Sequence, residues 1–281
     1  SIFLGIVLIL PHSPRWLMMK GRTESARKVL QNLRSDEEVA EAELQDIQAR
    51  IKHSSDAGFG LFRKNKHFRR SVFLGMLLQV MQQLTGINAL LYYAPRVFQA
   101  AHFGTSAAIW ATTLVGLTNM AFTAVAIAFV DRWGRRPLLI LSCTIAAASL
   151  LGVGVLLGVG ATTFAMQLVL CGLVLVFVAG FAIGEGPLVW TLCSEVQPTR
   201  GRDFGIGCST VTNWSANWAI SKTFPLLMVA MGASSTFILF AVFNGLFILM
   251  TLFMVPETKG VSLETIEANL FAGKRLRDLG R

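Results

Sequence analysis

The chain has 281 residues, of which 53% are hydrophobic and only 15% are charged. Soluble domains carry about 25% charged residues, so this composition excludes an ordinary soluble protein and favours one embedded in a membrane. The formal net charge is +9, but the basic residues cluster on the segments that join long apolar stretches. The positive charge therefore requires no nucleic-acid partner.

The first ten residues, 1–10, form an apolar stretch. It is too short to cross a bilayer, because a helix needs about 20 residues to do so. It also lacks the charged region and the small-residue cleavage site of a signal peptide. We interpret it as the end of a truncated transmembrane helix, which makes the chain the back part of a longer protein.

The next segment, residues 11–70, is rich in Lys and Arg and predicts a cytoplasmic linker with short helices. Ser13 followed by Pro14 has the pattern of a helix N-cap with proline at the first helical position. We expect surface helices over 14–34 and 36–52. They are interpreted as a cap along the membrane face, and a latch that moves when the protein opens is kept as a hypothesis.

Six further apolar stretches are each long enough to cross a hydrocarbon core about 30 Å thick. They predict an all-α polytopic membrane protein, with a six-transmembrane-helix bundle over 71–255 and a cytoplasmic tail over 256–281. If the spans alternate in direction, residues 11–70, the basic turns and the C-terminal tail all lie on the same side of the membrane. This side holds every Lys and Arg except Arg96 and Lys222, so it is predicted to be the cytoplasmic side. The stretches are 71–93, 107–130, 137–159, 164–194, 204–231 and 235–255.

Two of these spans contain helix-breaking residues at matching positions of the two groups of three. Residues 85–86 (Thr-Gly) interrupt the first span, and residues 184–187 (Gly-Glu-Gly-Pro) interrupt the fourth. Matching interruptions point to the midplane site of a transporter. A break at Gly86 would also swing Asn88 towards the glutamines before it. The alternative is a glycine that helix packing tolerates.

Carboxamide side chains occur inside the apolar spans, where an amide without a partner costs about 2–7 kcal/mol. Asn213 and Asn217 lie four residues apart and share a helix face, and Trp214 and Trp218 repeat this spacing one residue further on. The carboxamides are Gln79, Gln82, Gln83, Asn88, Asn119, Asn213 and Asn217.

Amides that donate and accept, next to aromatic rings, suit a neutral polyol. Its hydroxyl groups need hydrogen bonds, and its C–H faces pack on rings. Tyr92 and Tyr93 follow the first break, and Trp190 follows the second. For a single amide the alternative is an interhelical hydrogen bond worth about 0.6 kcal/mol. For amides spread over three spans, a shared binding site is the better explanation.

The sequence predicts no enzyme and no cofactor. It contains no HExxH, GxSxG or phosphate-binding glycine loop. The four cysteines match neither a zinc site nor a disulfide framework, and we interpret them as small packing residues.

Three turns on the predicted cytoplasmic side mix acidic residues with basic ones, which are arginines in the first two turns and Lys259 in the third. They are either solvated anchors or ion pairs that hold the cytoplasmic ends together in one conformation. Arginine suits the second role because its planar guanidinium binds a carboxylate at two points. The turns are residues 131–137, 195–202 and 256–260.

Five motifs lie in order along the chain: PHSPRWL at 11–17, QQLTGIN at 82–88, DRWGRR at 131–136, GPLVW at 186–190 and PETKG at 256–260. Together they resemble the sugar porter family of the major facilitator superfamily. The segments LCSEVQP and GRDFGI look most like those of bacterial galactose–proton and arabinose–proton symporters. The resemblance covers the end of the sixth helix, the intracellular helices, and helices seven to twelve of that family.

The resemblance implies a C-terminal six-helix bundle of a major facilitator fold in the inner (plasma) membrane. Its partners would be a monosaccharide, a proton, the lipid bilayer and a missing N-terminal six-helix half. It implies a sugar site made of Gln82, Gln83, Asn88, Asn119, Trp190, Asn213 and Asn217. It implies an extracellular gate at Tyr92 and Tyr93. It implies a cytoplasmic ion-pair network of Asp131, Arg135, Arg136, Glu195, Arg200 and Arg202.

Glu185 and Lys222 depart from the family pattern, which has small or uncharged residues there. Charges inside spans are costly. If Trp190 and Asn217 share one layer, both charges lie about 7–8 Å above it on their helices. We hypothesise an intramembrane pair. In the alternative, Lys222 extends alone to the outer surface and Glu185 protrudes into a wet cavity.

Proton coupling follows from the resemblance alone, because the proton-carrying Asp of the family lies on a helix outside this chain. A facilitative sugar carrier without proton coupling is the nearest alternative. A transporter-like sugar sensor that moves no substrate is another, although such proteins tend to have longer tails than the one here.

Overall fold

A computed structural model describes residues 13–33, 37–54, 58–100, 104–160 and 162–280, and the regular elements in these ranges are all helices. The stretch 1–10, interpreted as the end of a truncated helix, lies outside the described residues. The chain divides into two compact units, Ser1–Leu61 and Phe62–Arg281.

The first unit is built from short helices around a small apolar core. They are α1 Pro14–Met19, α2 Thr23–Leu33 and α3 Glu37–Ser54. The next helix, α4 Gly58–Lys64, contains the position at which the first unit ends. The prediction of one helix over 14–34 is wrong, because Gly21 adopts a φ of +74° and separates α1 from α2. Leu17, Leu30 and Leu44 bring one apolar side chain from each of α1–α3 into a common core.

Long helices form the second unit. Asn65 caps the first of them by accepting from the backbone N–H groups of His67 and Phe68, and Thr163 caps another by accepting from that of Met166. The helices are α5 Lys66–Leu84, α6 Ile87–Ala100, α7 Thr105–Trp133, α8 Arg135–Val159, α9 Phe164–Ile183, α10 Glu185–Glu195, α11 Arg202–Ala230 and α12 Gly232–Met254.

Both predicted helix breaks are present. Gly86 separates α5 from α6 with a φ of +89°, and Gly184 separates α9 from α10. A Cβ added at Gly86 would lie 2.8 Å from the ring of Phe240, and one added at Gly184 would lie 2.4 Å from Cβ of Ser142. Each break therefore lies where the backbone approaches a neighbouring helix too closely for any residue except glycine.

The centre of the second unit is held by α8, which packs against α9 and α12. Gly154 on α8 lets α12 approach closely, since a Cβ there would lie 3.0 Å from the backbone oxygen of Ser234. The Ser234 hydroxyl donates to the Gly154 carbonyl at 2.7 Å. A large apolar cluster that includes Phe177, Phe237 and Phe240 surrounds this contact.

Among the described residues, five helical segments are long and apolar enough to cross a membrane: Lys66–Pro95, Thr105–Ile127, Arg135–Val159, Phe164–Glu195 and Gly232–Met254. The remaining predicted span, 204–231, lies in α11. That helix has 29 residues and is long enough, but its amides, hydroxyl groups and Lys222 lower its mean hydropathy. Its crossing of the membrane stays a prediction.

The C-terminal tail folds back as a short helix, α13 Leu263–Phe271, and a 3₁₀ turn, Leu276–Asp278. The Ser262 hydroxyl caps α13 by accepting from the backbone N–H of Thr265. Ile266, Leu270 and Leu279 pack together in a separate apolar cluster.

Candidate functional site

The carboxamides of α5 and α11 form a direct hydrogen-bonded contact. Asn213 Nδ2 donates to Oε1 of Gln79 at 2.6 Å and to Oε1 of Gln82 at 2.9 Å. One turn further along, Asn217 Nδ2 donates to Oε1 of Gln83 at 3.1 Å. All five side chains are buried. The amide face predicted for each helix is therefore the face that meets the other helix.

The break after α5 brings a further amide into this set. Asn88, in the first turn of α6, donates from Nδ2 to Oε1 of Gln83 at 2.8 Å. On a straight helix Asn88 would point away from Gln83, about 140° round the axis. Gly86, with its positive φ, makes the contact possible. Side chains from α5, α6 and α11 thus converge on one oxygen atom.

The second break joins the same network through Gln82. Its Nε2 donates to the backbone carbonyl of Glu185 at 2.8 Å and to that of Gly186 at 3.2 Å. These carbonyls lie at the beginning of α10. A single side chain therefore connects the amide network of α5 and α11 to the interruption between α9 and α10.

Several polar groups of this network remain free to bind a ligand. Gln83 Nε2 and the Oδ1 atoms of Asn88, Asn213 and Asn217 make no hydrogen bond in the part of the chain that the structure describes. None of them is among the fully enclosed atoms that lack a partner. They comprise one donor and three acceptors at accessible positions, which is the combination that binds hydroxyl groups.

Two exposed indole rings lie on the same helix as Asn213 and Asn217, and the groove beside these rings has no amide of the network in its lining. Trp214 and Trp218 each follow an asparagine of the network and are 63% and 68% exposed. They line an open groove of about 630 Å³ together with Thr210, Val211, Ser215 and Ala219. Trp190 on α10 is 40% exposed and is not part of that lining. The groove has only one wall within the described residues, because every residue that lines it belongs to α11.

The other residues predicted around the sugar site lie apart from the shared network. Asn119 is half-buried on α7, and within the described chain its only hydrogen bond beyond the helix ladder is the one its carbonyl accepts from the Thr123 hydroxyl. The Tyr93 hydroxyl donates to the Ser221 carbonyl at 3.4 Å, and its ring lies 5.3 Å from that of Phe224. Tyr92 is 56% exposed. Their roles in binding and gating stay predictions.

Part of the predicted cytoplasmic network is formed. Arg135 Nη2 pairs with Oε1 of Glu195 at 3.1 Å, and the Thr258 hydroxyl donates to Oε2 of the same carboxylate at 2.5 Å. The backbone N–H groups of Arg135 and Arg136 donate to the two carboxylate oxygens of Glu257, each at 3.0 Å. Glu257 therefore caps the beginning of α8, which is the favoured position for a negative charge.

The remaining arginines of that prediction are arranged differently. Arg202 donates from Nη2 to the Gln197 carbonyl at 3.1 Å, and Arg200 is exposed. Neither forms an ion pair with a described carboxylate. Arg136 donates from Nη2 to the Leu252 carbonyl at 2.6 Å. The side chain of Asp131 lies outside the described part of the structure.

Glu185 and Lys222 do not form the hypothesised pair. Lys222 is exposed on α11, and no ion pair joins it to Glu185. Glu185 is fully buried, so it does not protrude into a wet cavity either. The spacing from Trp190 and Asn217 predicts the position of each residue along its helix axis but not the direction in which its side chain points. The break before α10 changes that direction for Glu185.

Gln79 was grouped with the other carboxamides but was not part of the sugar site that the resemblance implies. Glu257 and Thr258 lie in the predicted turn 256–260 but were not among the residues implied for the cytoplasmic network. The sequence contained a signal for each of them. Gln79 lies on the same arc as Gln82 and Gln83, and the other two belong to the PETKG motif. Their partners depend on helix packing, which the sequence pattern does not reveal.

Comparison with known proteins places this geometry in a family. A family model described as "Sugar (and other) transporter" matches residues 1–270, and the chain belongs to that family. This confirms the resemblance predicted from the motifs. It is a family of transporters rather than of enzymes.

Relatives of known function are similar over nearly the whole chain. The galactose-proton symporter of Escherichia coli K12 is 47% identical over 275 residues, which cover 98% of this chain and 59% of that protein. The arabinose-proton symporter of the same strain is 44% identical over 279 residues, with the same coverage of 98% and 59%. The chain thus spans about three fifths of the length of these relatives.

A solved structure has the same helical arrangement. The E. coli proton:xylose symporter XylE, of the major facilitator superfamily, matches with a TM-score of 0.73 and 30% sequence identity. The match covers 99% of this chain and 55% of the XylE chain. The predicted all-α major facilitator fold is confirmed.

Proposed function

We propose that the chain forms one side of a carrier that moves a monosaccharide, a hexose or a pentose, across a membrane by alternating access. The observation that carries this proposal is the convergence of Asn88 and Asn217 on Gln83. Accessible amide groups and exposed indole rings both occur on α11, and the two kinds of group suit the polar edge and the apolar face of a sugar ring.

The second wall of the binding cavity would come from residues outside this chain. The groove beside Trp214 and Trp218 is lined by α11 alone, and the curated relatives are longer than this chain. Asn119 and Trp190 are proposed to complete the sugar site when the cavity is closed. Tyr92 and Tyr93 are proposed to close it on the extracellular side.

Alternating access requires contacts that break in one conformation and reform in the other. The pair between Arg135 and Glu195, with side chains only 15% and 18% exposed, is suited to this role. We propose that it holds the cytoplasmic ends of α8 and α10 together while the carrier is closed to the cytoplasm. Arg136, Arg200, Arg202 and Asp131 are proposed to strengthen that region electrostatically.

Proton-coupled symport is the preferred form of this function. The names of the relatives describe galactose-proton, arabinose-proton and proton:xylose symporters. Their sugars differ by the stereochemistry of a hydroxyl or by one CH₂OH group, so the choice among them is a separate question. We further propose that the protein lies in the plasma membrane, with residues 11–70 and the C-terminus on the cytoplasmic side, because basic residues cluster there.

Transport by the complete gene product that contains this chain tests the proposal. The protein would be reconstituted in lipid vesicles, and uptake of radiolabelled galactose, arabinose and xylose would be measured with an external pH electrode. Symport predicts saturable uptake together with alkalinisation of the medium. Uptake without alkalinisation would instead support a facilitative carrier. Sugar binding without uptake would support a sensor, and the absence of binding by any of the sugars would refute the proposal.

A further inference from the structure

The carboxyl group of Glu185 occupies an unusual position for an ionisable residue. The residue is 0% exposed, and neither carboxyl oxygen has a hydrogen-bond partner among the described residues. It lies beside the thiol of Cys143 and the hydroxyl groups of Thr85 and Ser142. Lys222, the basic residue of the neighbouring span, is exposed and forms no ion pair with it.

The hydroxyl groups around Glu185 have already donated their hydrogens. The Thr85 hydroxyl donates to the Gln82 carbonyl at 2.6 Å, and the Ser142 hydroxyl donates to the Gly180 carbonyl at 2.7 Å. In this arrangement both oxygens can accept a hydrogen from a protonated carboxyl group, and the Ser142 oxygen also accepts from the Glu185 backbone N–H at 3.0 Å. Either hydroxyl could donate to a carboxylate only by giving up its present carbonyl acceptor. The remaining neighbour, the Cys143 thiol, is only a weak donor.

A negative charge at this position would have no counter-charge among the described residues, and the nearby hydroxyl groups would have to leave their present acceptors to stabilise it. Burial of an unpaired carboxylate costs several kcal/mol in a protein interior. The surroundings accept a protonated carboxyl group and disfavour an ionised one. A carboxylate could form only if the residue moved away from Thr85 and Ser142 towards water.

Such a movement would act directly on the amide network. Gln82 Nε2 holds the backbone carbonyl of Glu185 at 2.8 Å, and Gln82 Oε1 accepts from Asn213 at 2.9 Å. Because Gln82 binds the backbone of Glu185, a displacement that includes this backbone would release Gln82 and loosen its contact with Asn213. Protonation at Glu185 and the geometry of the amides are therefore linked through a single side chain.

We infer that Glu185 is a reversible proton-binding site of this chain, and that its proton occupancy controls sugar affinity through Gln82. This inference rests on the proposed function. The protonated group is enclosed and holds the amides in their binding arrangement. On opening, the carboxyl group loses its proton to water in the sugar cavity, and the resulting carboxylate is stabilised there by hydration. Sugar binding then favours uptake of one proton, because the coupling between two sites is reciprocal.

The helices around Glu185 supply no charged group that would stabilise its carboxylate, within the part of the chain that the structure describes. Cys143 faces it from α8, and the uncharged Thr85 faces it from the end of α5. Within the described part of the chain, α7, α9 and α11 contribute no charged neighbour to it. A change in its protonation therefore alters the local charge fully, without compensation by a partner.

The test compares the pH dependence of sugar affinity in the complete gene product and in its Glu185→Gln variant. Glutamine keeps the shape and the donor of the protonated acid but cannot ionise. Affinity for radiolabelled galactose would be measured by equilibrium exchange in vesicles between about pH 5 and pH 9. In the wild-type protein, affinity should weaken by up to about tenfold per pH unit above the pH at which Glu185 ionises.

The Glu185→Gln variant should lose this alkaline limb, so that its affinity at high pH stays near the value at low pH. Glu264→Gln, at an exposed position in the first turn of α13, is the matched control and should keep the wild-type profile. Identical profiles for the wild-type protein and Glu185→Gln would overturn the inference and leave sugar transport intact. A wild-type protein that binds no sugar would instead refute the proposed function.

An infrared measurement on the wild-type protein decides the question if the glutamine variant does not fold. A carboxylic acid has a C=O stretching band that is absent from a carboxylate. The band of Glu185, assigned by its shift in Glu185→Asp, should decrease at alkaline pH and recover when galactose is added. A band that is insensitive to both pH and galactose would show a permanently protonated structural residue, and the inference would be wrong.

Discussion

Asn88 and Asn217 donate hydrogen bonds to the same atom, Oε1 of Gln83, at 2.8 and 3.1 Å. One asparagine follows a helix break and the other lies in the middle of a continuous helix. Their common acceptor fixes α6 and α11 with respect to α5. The same arrangement leaves the side-chain carbonyl groups of both asparagines without a partner among the described residues, so the helix contact and the proposed ligand site share a single glutamine.

Replacement of Gln83 by leucine should weaken sugar binding strongly. The change keeps the approximate size of the side chain but leaves the buried Asn217 amide and the half-buried Asn88 amide without their acceptor, at a cost of about 1–3 kcal/mol for the buried donor. We expect galactose affinity to fall by roughly 10- to 100-fold in vesicle exchange assays. Gln99→Leu, at an exposed position on α6, is the matched control and should bind normally. Unchanged affinity in Gln83→Leu would contradict the proposed site.

Asn213→Ala and Asn119→Ala should differ in their effects on stability. Asn213 bonds to Gln79 and Gln82, so its loss should lower thermal stability as well as sugar affinity. The side chain of Asn119 makes no hydrogen bond within the described residues, so its removal should lower sugar affinity with little change in stability. Thermal unfolding with and without galactose measures both quantities. Equal losses of stability in the two variants would argue against this assignment.

A double-mutant cycle should detect the contact between Arg135 and Glu195. Their separation of 3.1 Å and low exposure predict a coupling energy of about 0.5–3 kcal/mol. Arg135→Gln, Glu195→Gln and the double variant would be compared by chemical unfolding and by uptake rate. The exposed pair of Arg27 with Glu24 supplies the control cycle, with coupling of about 0–1 kcal/mol. Strictly additive single changes at Arg135 and Glu195 would show that the contact contributes nothing.

Gly184→Ala should destabilise the protein, whereas Gly172→Ala should not. A Cβ at Gly184 would lie 2.4 Å from Cβ of Ser142 and 2.9 Å from the Leu138 carbonyl oxygen, so α8 and the break before α10 must separate. Overpacking of this kind costs about 1–3 kcal/mol. A Cβ at Gly172 meets nothing within 4 Å, and alanine favours the helix there. The unfolding temperature should therefore fall in Gly184→Ala and stay the same or rise in Gly172→Ala.

Features that depend on a difference in residue type between neighbours in the sequence could be predicted. Gln82, Gln83, Asn213 and Asn217 are polar residues within apolar spans, and Gly86 is a helix breaker beside them, so their grouping could be read from residue type and spacing. The fold class followed from the lengths of the apolar stretches. In each case, the signal lies within one helix or at its end.

Features that depend on packing between helices could not be predicted in the same way. The burial of Glu185 depends on how α10 is rotated after the break and on which hydroxyl groups α5 and α8 present to it. The capping of α8 by Glu257 depends on a tail residue distant in sequence. The break at Gly21 was overlooked because a single glycine within a polar, helix-favouring segment is a weak signal compared with its neighbours.

The bond from Gln82 to the Glu185 carbonyl has a mechanical consequence. It joins the end of α5, close to the break at Gly86, to the beginning of α10, next to the break at Gly184, so bending at one break strains the contact with the other. A tilt of α6 relative to α5 would therefore act on α10 through Gln82. In the proposed carrier, a ligand bound to the amides would then influence the angle of both segments together.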